Sequence, residues 1–424
     1  MKINALYGHL KKCNNQVSTD TRKIIKGSIF FALKGKNFDG NDYALEALKN
    51  GAAYCVVDNE SVSKLDQRIF LVDNVLETLQ KLSTYNRDKS KCYVIALTGS
   101  NGKTTTKELM YHILKTKYNV VCTSGNLNNH IGVPLSLLQI KESTEFAVIE
   151  MGANNFGEIE FLTNLVKPNI GYITNFGLAH LEGFNDLKGV IKGKTELYNW
   201  LIENNRKILI NDDDVEQKKF ICENTVLFGK NNNSNYQFEQ IISDHISLKI
   251  NDVIIETQLY GNYNFSNVCA AITLGLENKI QLEEISKSLK NYSSENNRSQ
   301  IISKNNSKII MDAYNANPTS VKGALESLSY LDNSKLAIIG DMLELGKAEI
   351  IEHDKIVKYA LDLNIDKIIF IGTRFKKCEN NFKNFYFFNN KTELLNSNLK
   401  LNEKYILIKG SRSMRMETIL NELQ

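Results

Sequence analysis

The sequence predicts an α/β protein of several domains, and three observations carry that expectation. Its 424 residues exceed what one core organises, since domains average roughly 150 residues, so two to four are expected. Short β-branched runs recur at 92–97, 146–149, 170–174, 207–210, 308–311, 336–339, 367–371 and 405–408. Most are separated by helix-length segments of mixed polarity, the pattern left by parallel strands that crossover helices bury. The first run ends in a glycine-rich turn followed by a helical pattern over 107–114, the strand–loop–helix order of a phosphate cradle.

In chain order, the opening segment closes at the polar stretch S-T-Y-N-R-D-K-S-K, 83–91, where the first domain joint is expected. An asparagine-rich segment with alternating apolar residues, 231–257, is expected to be a β-rich insertion at the edge of the middle domain. The polar stretch S-S-E-N-N-R-S-Q, 293–300, falls between two series of strands and marks the second joint. Domains are therefore expected at 1–90, 91–297 and 298–424. The three prolines, Pro134, Pro168 and Pro318, are too few for proline-rich linkers, so the joints are polar. No internal repeat of fixed period is found.

Composition narrows the function classes. Hydrophobic residues make up 42% and charged residues 24%, which excludes disorder, collagen-like repeats and coiled coil. Fifty-two Lys plus Arg against 48 Asp plus Glu leave a net charge of +4. That is too little for a chain-wide nucleic-acid or membrane footprint, and neither partner is expected. Seven cysteines, Cys13, Cys55, Cys92, Cys122, Cys222, Cys269 and Cys378, are scattered and never form C-x-x-C, so no disulfide framework or zinc site is indicated. The first sixteen residues lack a signal-peptide core, and no apolar run approaches the roughly 18 residues of a membrane span. A soluble, cytoplasmic protein is expected.

The strongest local signal is L-T-G-S-N-G-K-T-T-T at 97–106. Gly99 and Gly102 let backbone N–H groups curl around phosphate oxygens, and the helix N-terminus that follows adds partial positive charge. Lys103 is placed to reach β- and γ-phosphates, and the Thr104 hydroxyl to ligate Mg²⁺. The run at 146–149 ends in Glu150, either an acid offered to a nucleotide-bound metal or a carboxylate capping the next helix. The run at 170–174 leads to His180 in a loop at the same sheet edge, either a second metal ligand or an exposed histidine.

These residues lie in blocks that together resemble the Mur ligase family, ATP-dependent amide-forming enzymes that build the peptidoglycan stem peptide. The blocks are T-G-S-N-G-K-T-T (98–105), T-S-G-N-L-N-N-H-I-G-V-P-L (123–135), E-M-G-A-N (150–154), I-T-N-x-x-x-A-H (173–180) and G-N-Y-N-x-x-N (261–267). Downstream, D-A-Y-N-A-N-P (312–318), G-D-M-L-E-L-G (340–346) and K-G-S-R-S-M-R-M-E (409–417) resemble the branch that adds D-alanyl-D-alanine. The D-N-P-R motif of the preceding ligase is missing from the sequence. S-T-D-T-R (18–22), G-S-I-F-F-A-L (27–33) and F-D-G-N (38–41) are similar to the uridine-nucleotide domain those two branches share and folylpolyglutamate synthetases lack. Two positions depart from the pattern: Asn41 and Tyr263 stand where histidine is usual.

The resemblance implies an N-terminal α/β uridine-nucleotide domain, a central P-loop ATPase-like parallel sheet and a C-terminal Rossmann-like domain. It implies ligation of D-alanyl-D-alanine to UDP-MurNAc-tripeptide through an acyl phosphate, by a monomer serving cell-wall growth and division. ATP would sit on Thr98, Gly99, Ser100, Asn101, Gly102, Lys103, Thr104 and Thr105, with Asn267 and Asn315 at adenine, Asp312 at ribose and Arg298 at the γ-phosphate. One or two Mg²⁺ ions would be held by Thr104, Glu150, His180 and a carbamylated Lys194, with Lys192 the alternative lysine. Asn126, Asn128 and Asn129 would face the muramyl peptide, and Thr19, Asp20 and Arg22 the uridine nucleotide. Tyr314, Asn317, Ser411 and Arg412 would serve the acceptor. Another amide ligase on this scaffold, or a nucleotide-binding regulator without catalysis, are the competing readings.

Overall fold

The computed structural model describes residues 1–294, 297–397 and 399–422; Glu295 and Asn296, within the second expected joint, lie outside it. Near the N-terminus, β1 (Val17–Ser18), β2 (Ile29–Phe31), β3 (Tyr54–Val57) and β4 (Ile69–Leu71) form a parallel sheet in chain order. The seven strands that follow are β5 (Tyr93–Thr98), β6 (Val120–Cys122), β7 (Phe146–Glu150), β8 (Ile170–Ile173), β9 (Lys207–Asn211), β10 (Thr225–Gly229) and β11 (Tyr236–Gln237). They form one parallel sheet in the order β11-β10-β9-β8-β5-β7-β6. Crossovers leave β5 toward one side and β7 toward the other, so a crevice opens at the carboxyl end of β5, where such sheets bind ligands.

The expected insertion is an antiparallel sheet of β12 (Glu239–Ile241), β13 (Ser247–Ile250) and β14 (Val253–Glu256). Six more strands complete the chain: β15 (Gln300–Lys304), β16 (Ser307–Asp312), β17 (Lys335–Gly340), β18 (Lys367–Ile371), β19 (Phe385–Phe388) and β20 (Tyr405–Lys409). Their order is β15-β16-β20-β17-β18-β19, parallel except for β15 against β16.

The uniformly apolar runs follow from burial on both faces. On β5, Val94 and Ala96 join one core cluster while Ile95 and Leu97 join another. On β16, Ile310 and its neighbours Ile309 and Met311 divide in the same way. Each such aliphatic side chain contributes roughly 1.5–3 kcal/mol when fully buried. One cluster includes Tyr260 of the middle region together with Ala316 and Leu328 beyond β16, so the central and C-terminal units share apolar packing.

The stretch 83–91, where the first joint is expected, is not an irregular linker. It is helical to Lys89, as the end of the helix Val75–Lys89, with Ser83, Asn86 and Arg87 buried. Arg87 donates to the carbonyls of Val166 (3.0 Å), Cys92 (3.3 Å) and Lys167 (2.9 Å), and Asn86 to those of Leu137 and Ile140. Polar side chains there fasten the helix to the central unit rather than solvate a linker. No described helix is long and apolar enough to cross a membrane.

Candidate active site

Gly99 to Gly102 join β5 to the helix Lys103–Lys115. Gly99 has φ +142° and Gly102 has φ +79°. A Cβ would stand 1.9 Å from Thr174 Oγ1 at the first and 2.6 Å from Asn267 Oδ1 at the second. The loop is therefore pressed between the exit of β8 and the helix Phe265–Glu277, and both positions need glycine. Ser100 Oγ donates to Gly177 O and accepts from Gly177 N, each at 2.9 Å. Lys103 Nζ folds back to donate to Gly99 O at 2.7 Å. Burial pushes its pKa below the ordinary lysine value, with Glu150 opposing that shift and Arg298 adding to it.

Glu150 ends β7, in register with Leu97 of β5, and is 1% exposed. Its Oε2 accepts from Thr104 Oγ1 at 2.9 Å and its Oε1 from Asn128 Nδ2 at 2.8 Å. Both oxygens are thus turned to the start of the helix that follows the phosphate loop and to the block 123–135, not to the next helix, Glu158–Val166. His180 lines the same cleft, and its Nδ1 lies 2.6 Å from Glu344 Oε2. That bond to His180 holds the Glu344 carboxyl below the ordinary range, against a smaller opposing effect of burial.

The C-terminal unit closes the other wall of this cleft, whose volume is about 320 Å³. Asp312 and Lys409 are in register on β16 and β20, and Lys409 Nζ donates to Asp312 Oδ2 at 2.6 Å. Asp312 Oδ1 also accepts from Ser299 N at 3.1 Å. The Arg298 guanidinium lies 3.5 Å from the centre of the Tyr314 ring, a cation–π stack that fixes its direction. Asn317 caps the helix Pro318–Ser329 in a capping box with Ser320, and its Nδ2 donates to Asn101 Oδ1 at 2.7 Å. Ser100, Asn101, Gly102, Thr105, Asn126, Asn267 and Asn315 complete the expected residues on this cleft.

Other expected residues lie elsewhere. Thr98 is fully buried, and Asn129 Oδ1 accepts from Ile131 N and Gly132 N in its own turn. Ser411 Oγ accepts from Leu343 N at 2.9 Å, which ties it to the loop after β17. Arg412 stands 6.0 Å from the Tyr314 ring in an adjoining cleft that also includes Thr104 and Asn126. Thr19 and Asp20 line a separate cleft of about 460 Å³ with Leu127, Leu135 and Gln139. Asp20 is held at a pKa of about 2 by its hydrogen bonds from Arg22. Asn41 is a buried knot that bonds Asp39 and Asp58.

Lys194 is 1% exposed on the helix Leu187–Glu203, and its Nζ donates to Ala153 O at 3.2 Å. Burial first, and the cation of Lys103 second, push its pKa well below the ordinary value. Lys192 is exposed. Not foreseen from the sequence are Lys409, Tyr263 and Ser299, which line the cleft, and Glu344, which reaches His180 from outside it. All but Ser299 stand within the blocks quoted above, but their partners come from distant segments. Tyr263 bonds Ser299 through their hydroxyls at 2.7 Å.

Among the described residues no group of three or more His, Cys, Asp or Glu is arranged to hold a metal. The hydroxyl of Thr104 beside the carboxylate of Glu150 still suits Mg²⁺, which takes few protein oxygens and completes its shell with water and phosphate.

Comparison with known proteins agrees with this layout along the whole chain. Residues 15–87 match the Mur ligase family catalytic domain, 97–275 the Mur ligase middle domain, and 297–412 the Mur ligase glutamate ligase domain. The UDP-N-acetylmuramoyl-tripeptide–D-alanyl-D-alanine ligase of Buchnera aphidicola subsp. Baizongia pistaciae is 36% identical, over 96% of this chain and 92% of that one. A crystal structure of MurF from Acinetobacter baumannii superposes with a TM-score of 0.85 at 28% identity, covering 96% of this chain and 93% of that one. MurF ligase from Thermotoga maritima, solved in complex with ADP, gives 0.82 at 26% identity, with 97% of each chain covered. With three family domains matched in order along the chain and a full-length relative 36% identical, the chain belongs to the Mur ligase family.

Proposed function

We propose that this protein is the ATP-dependent ligase that joins D-alanyl-D-alanine to UDP-MurNAc-tripeptide in peptidoglycan precursor synthesis. The observation that carries the reading is a single cleft in which the phosphate loop meets Glu150 from β7 and Arg298 and Asp312 from the C-terminal unit. The full-length match to a relative of that name supports the choice of substrates.

The terminal carboxylate of the tripeptide attacks the γ-phosphorus of ATP, ADP leaves, and an acyl phosphate forms. The neutral amine of D-alanyl-D-alanine then adds to the activated carbonyl, its nitrogen loses a proton and phosphate departs, leaving the amide. The first step brings two anions together, so positive groups must offset repulsion while the reactants are held in line. Loop N–H groups and Lys103 bind the β- and γ-phosphates, and Arg298, steadied on Tyr314, reaches the γ-phosphate. Thr104, Glu150 and His180, with Lys194 as its carbamate, would hold Mg²⁺, which would supply further charge neutralisation. Asn267 and Asn315 contact adenine and Asp312 the ribose. Asn126, Asn128 and Asn129 face the muramyl peptide, and Tyr314, Asn317 and Arg412 the acceptor, with Ser411 holding the loop after β17 behind them. The second cleft, lined by Thr19 and by Asp20 with Arg22 bonded to it, takes the uridine nucleotide.

Lys194 is the lysine to be carbamylated. A neutral amine is the nucleophile toward CO₂: its lone pair forms the N–C bond and one proton leaves. Burial and the Lys103 cation favour that neutral form, and the same cation then attracts the carbamate anion. The domain joints are assigned near residues 90 and 297, and closing the second over the nucleotide excludes water from the acyl phosphate.

The test is phosphate release by the purified chain with ATP, UDP-MurNAc-tripeptide and candidate acceptors. Release dependent on D-alanyl-D-alanine, with the pentapeptide product seen by mass spectrometry, is expected. Dependence on a single amino acid would move the chain to another amide ligation. ATP binding without release would make it a regulator.

A further inference from the structure

We propose that Glu344 is a positioning residue, which the C-terminal unit delivers onto Nδ1 of His180 so that the ring presents Nε2 to the cleft. This rests on the ligase reading only for its kinetic arm. The two side chains come from different units and meet at 2.6 Å. Both sit in left-handed backbone, His180 at φ +54° and Glu344 at φ +63°, a conformation that non-glycine residues hold only where their surroundings impose it.

The loop that carries Glu344 is imposed from several sides. Met342 N donates to Nε2 of the buried His353 at 2.9 Å, and Leu343 N donates to Ser411 Oγ at 2.9 Å. Glu344 O accepts from Glu182 N at 3.3 Å. A Cβ on Gly346 would lie 3.4 Å from Glu182 Cα, at a residue whose φ is +54°. The loop therefore rests on the short helix Leu181–Phe184 that His180 itself starts. A carboxylate on one imidazole nitrogen fixes both tautomer and ring orientation, leaving the other nitrogen as an acceptor of set direction. His180 faces the cleft and Glu344 does not line it, so Glu344 acts through the histidine. The contact forms only when the two units meet, which couples closure to the readiness of His180.

The test compares Glu344→Ala with Glu344→Gln, whose amide oxygen still accepts from Nδ1. In ¹⁵N-histidine spectra of the full chain at alkaline pH, with His180→Asn used for assignment, His180 in the parent protein should be the Nδ1–H tautomer. Glu344→Ala should shift it toward Nε2–H, and Glu344→Gln should retain it. With saturating substrates, kcat should fall about tenfold or more in the alanine variant, KM for ATP should change less, and glutamine should restore kcat to within about threefold. An unchanged tautomer in Glu344→Ala, or unchanged kcat, overturns the proposal. A parent protein without ligase turnover would refute the assigned reaction, while the tautomer comparison still decides the role of Glu344.

Discussion

Lys192 and Lys194 stand two positions apart on one helix, yet their surroundings make them different chemical groups. Lys192 is exposed with its amine 5.5 Å from the Phe156 ring, whereas Lys194 is buried with its amine on a backbone carbonyl. Burial holds Lys194 toward the neutral state that carbamylation requires. Lys194→Ala should therefore lose about 10²–10³-fold in turnover, while Lys192→Ala stays within about twofold, as measured by phosphate release. Equal losses in the two variants would contradict the assignment. Sequence could not separate them, because burial of a helix lysine depends on what packs across it. Lys103 and Glu150 were legible because their placement is local: a loop after β5 and the last residue of β7, side by side in register. The partner of His180 was not, since Glu344 is brought there by a separate sheet.

At the scale of elements, polar composition misled where a polar side chain serves as a bolt. The stretch 83–91 reads as linker, but Arg87 sends its guanidinium into the central unit and satisfies carbonyls of Cys92, Val166 and Lys167. Arg87→Met keeps the apolar stem and leaves those acceptors without a donor, at a cost of roughly 3 kcal/mol. A lower urea midpoint with an unchanged m-value is expected, and an unchanged midpoint would show that the helix is held by its apolar face alone. The strands were far more legible. Eight expected runs appear within about a residue of β5, β7, β8, β9, β16, β17, β18 and β20, because strands buried on both faces must be apolar throughout. The helix after the phosphate loop starts at Lys103, earlier than expected. Three consecutive threonines look like loop, yet Thr104, Thr105 and Thr106 are all buried against neighbours.

For the whole molecule, motif order revealed three units but not how they touch, because sheet order and interdomain contacts are set by packing between distant segments. The same packing fixes how stability responds to alkali. Cys55 in the N-terminal unit and Cys92 at the entry to the central sheet are free and buried, and burial raises the pKa of each to about 12. In the unfolded chain a thiol ionises near about 8.5. Between those values the unfolded chain binds fewer protons than the folded one, so rising pH favours unfolding by roughly 1.4 kcal/mol per pH unit for each thiol. Tyr93, also raised to about 12 by burial, adds to the effect above pH of about 10. Calorimetry should show transitions that are steady up to about pH 8 and fall progressively from about 9 to 11. Because the two cysteines lie in different units, Cys55→Ala should flatten the decline of the N-terminal transition and Cys92→Ala that of the central one, even if each variant starts from a lower Tm. Alkaline slopes identical in the parent and both variants would show that other groups govern the loss.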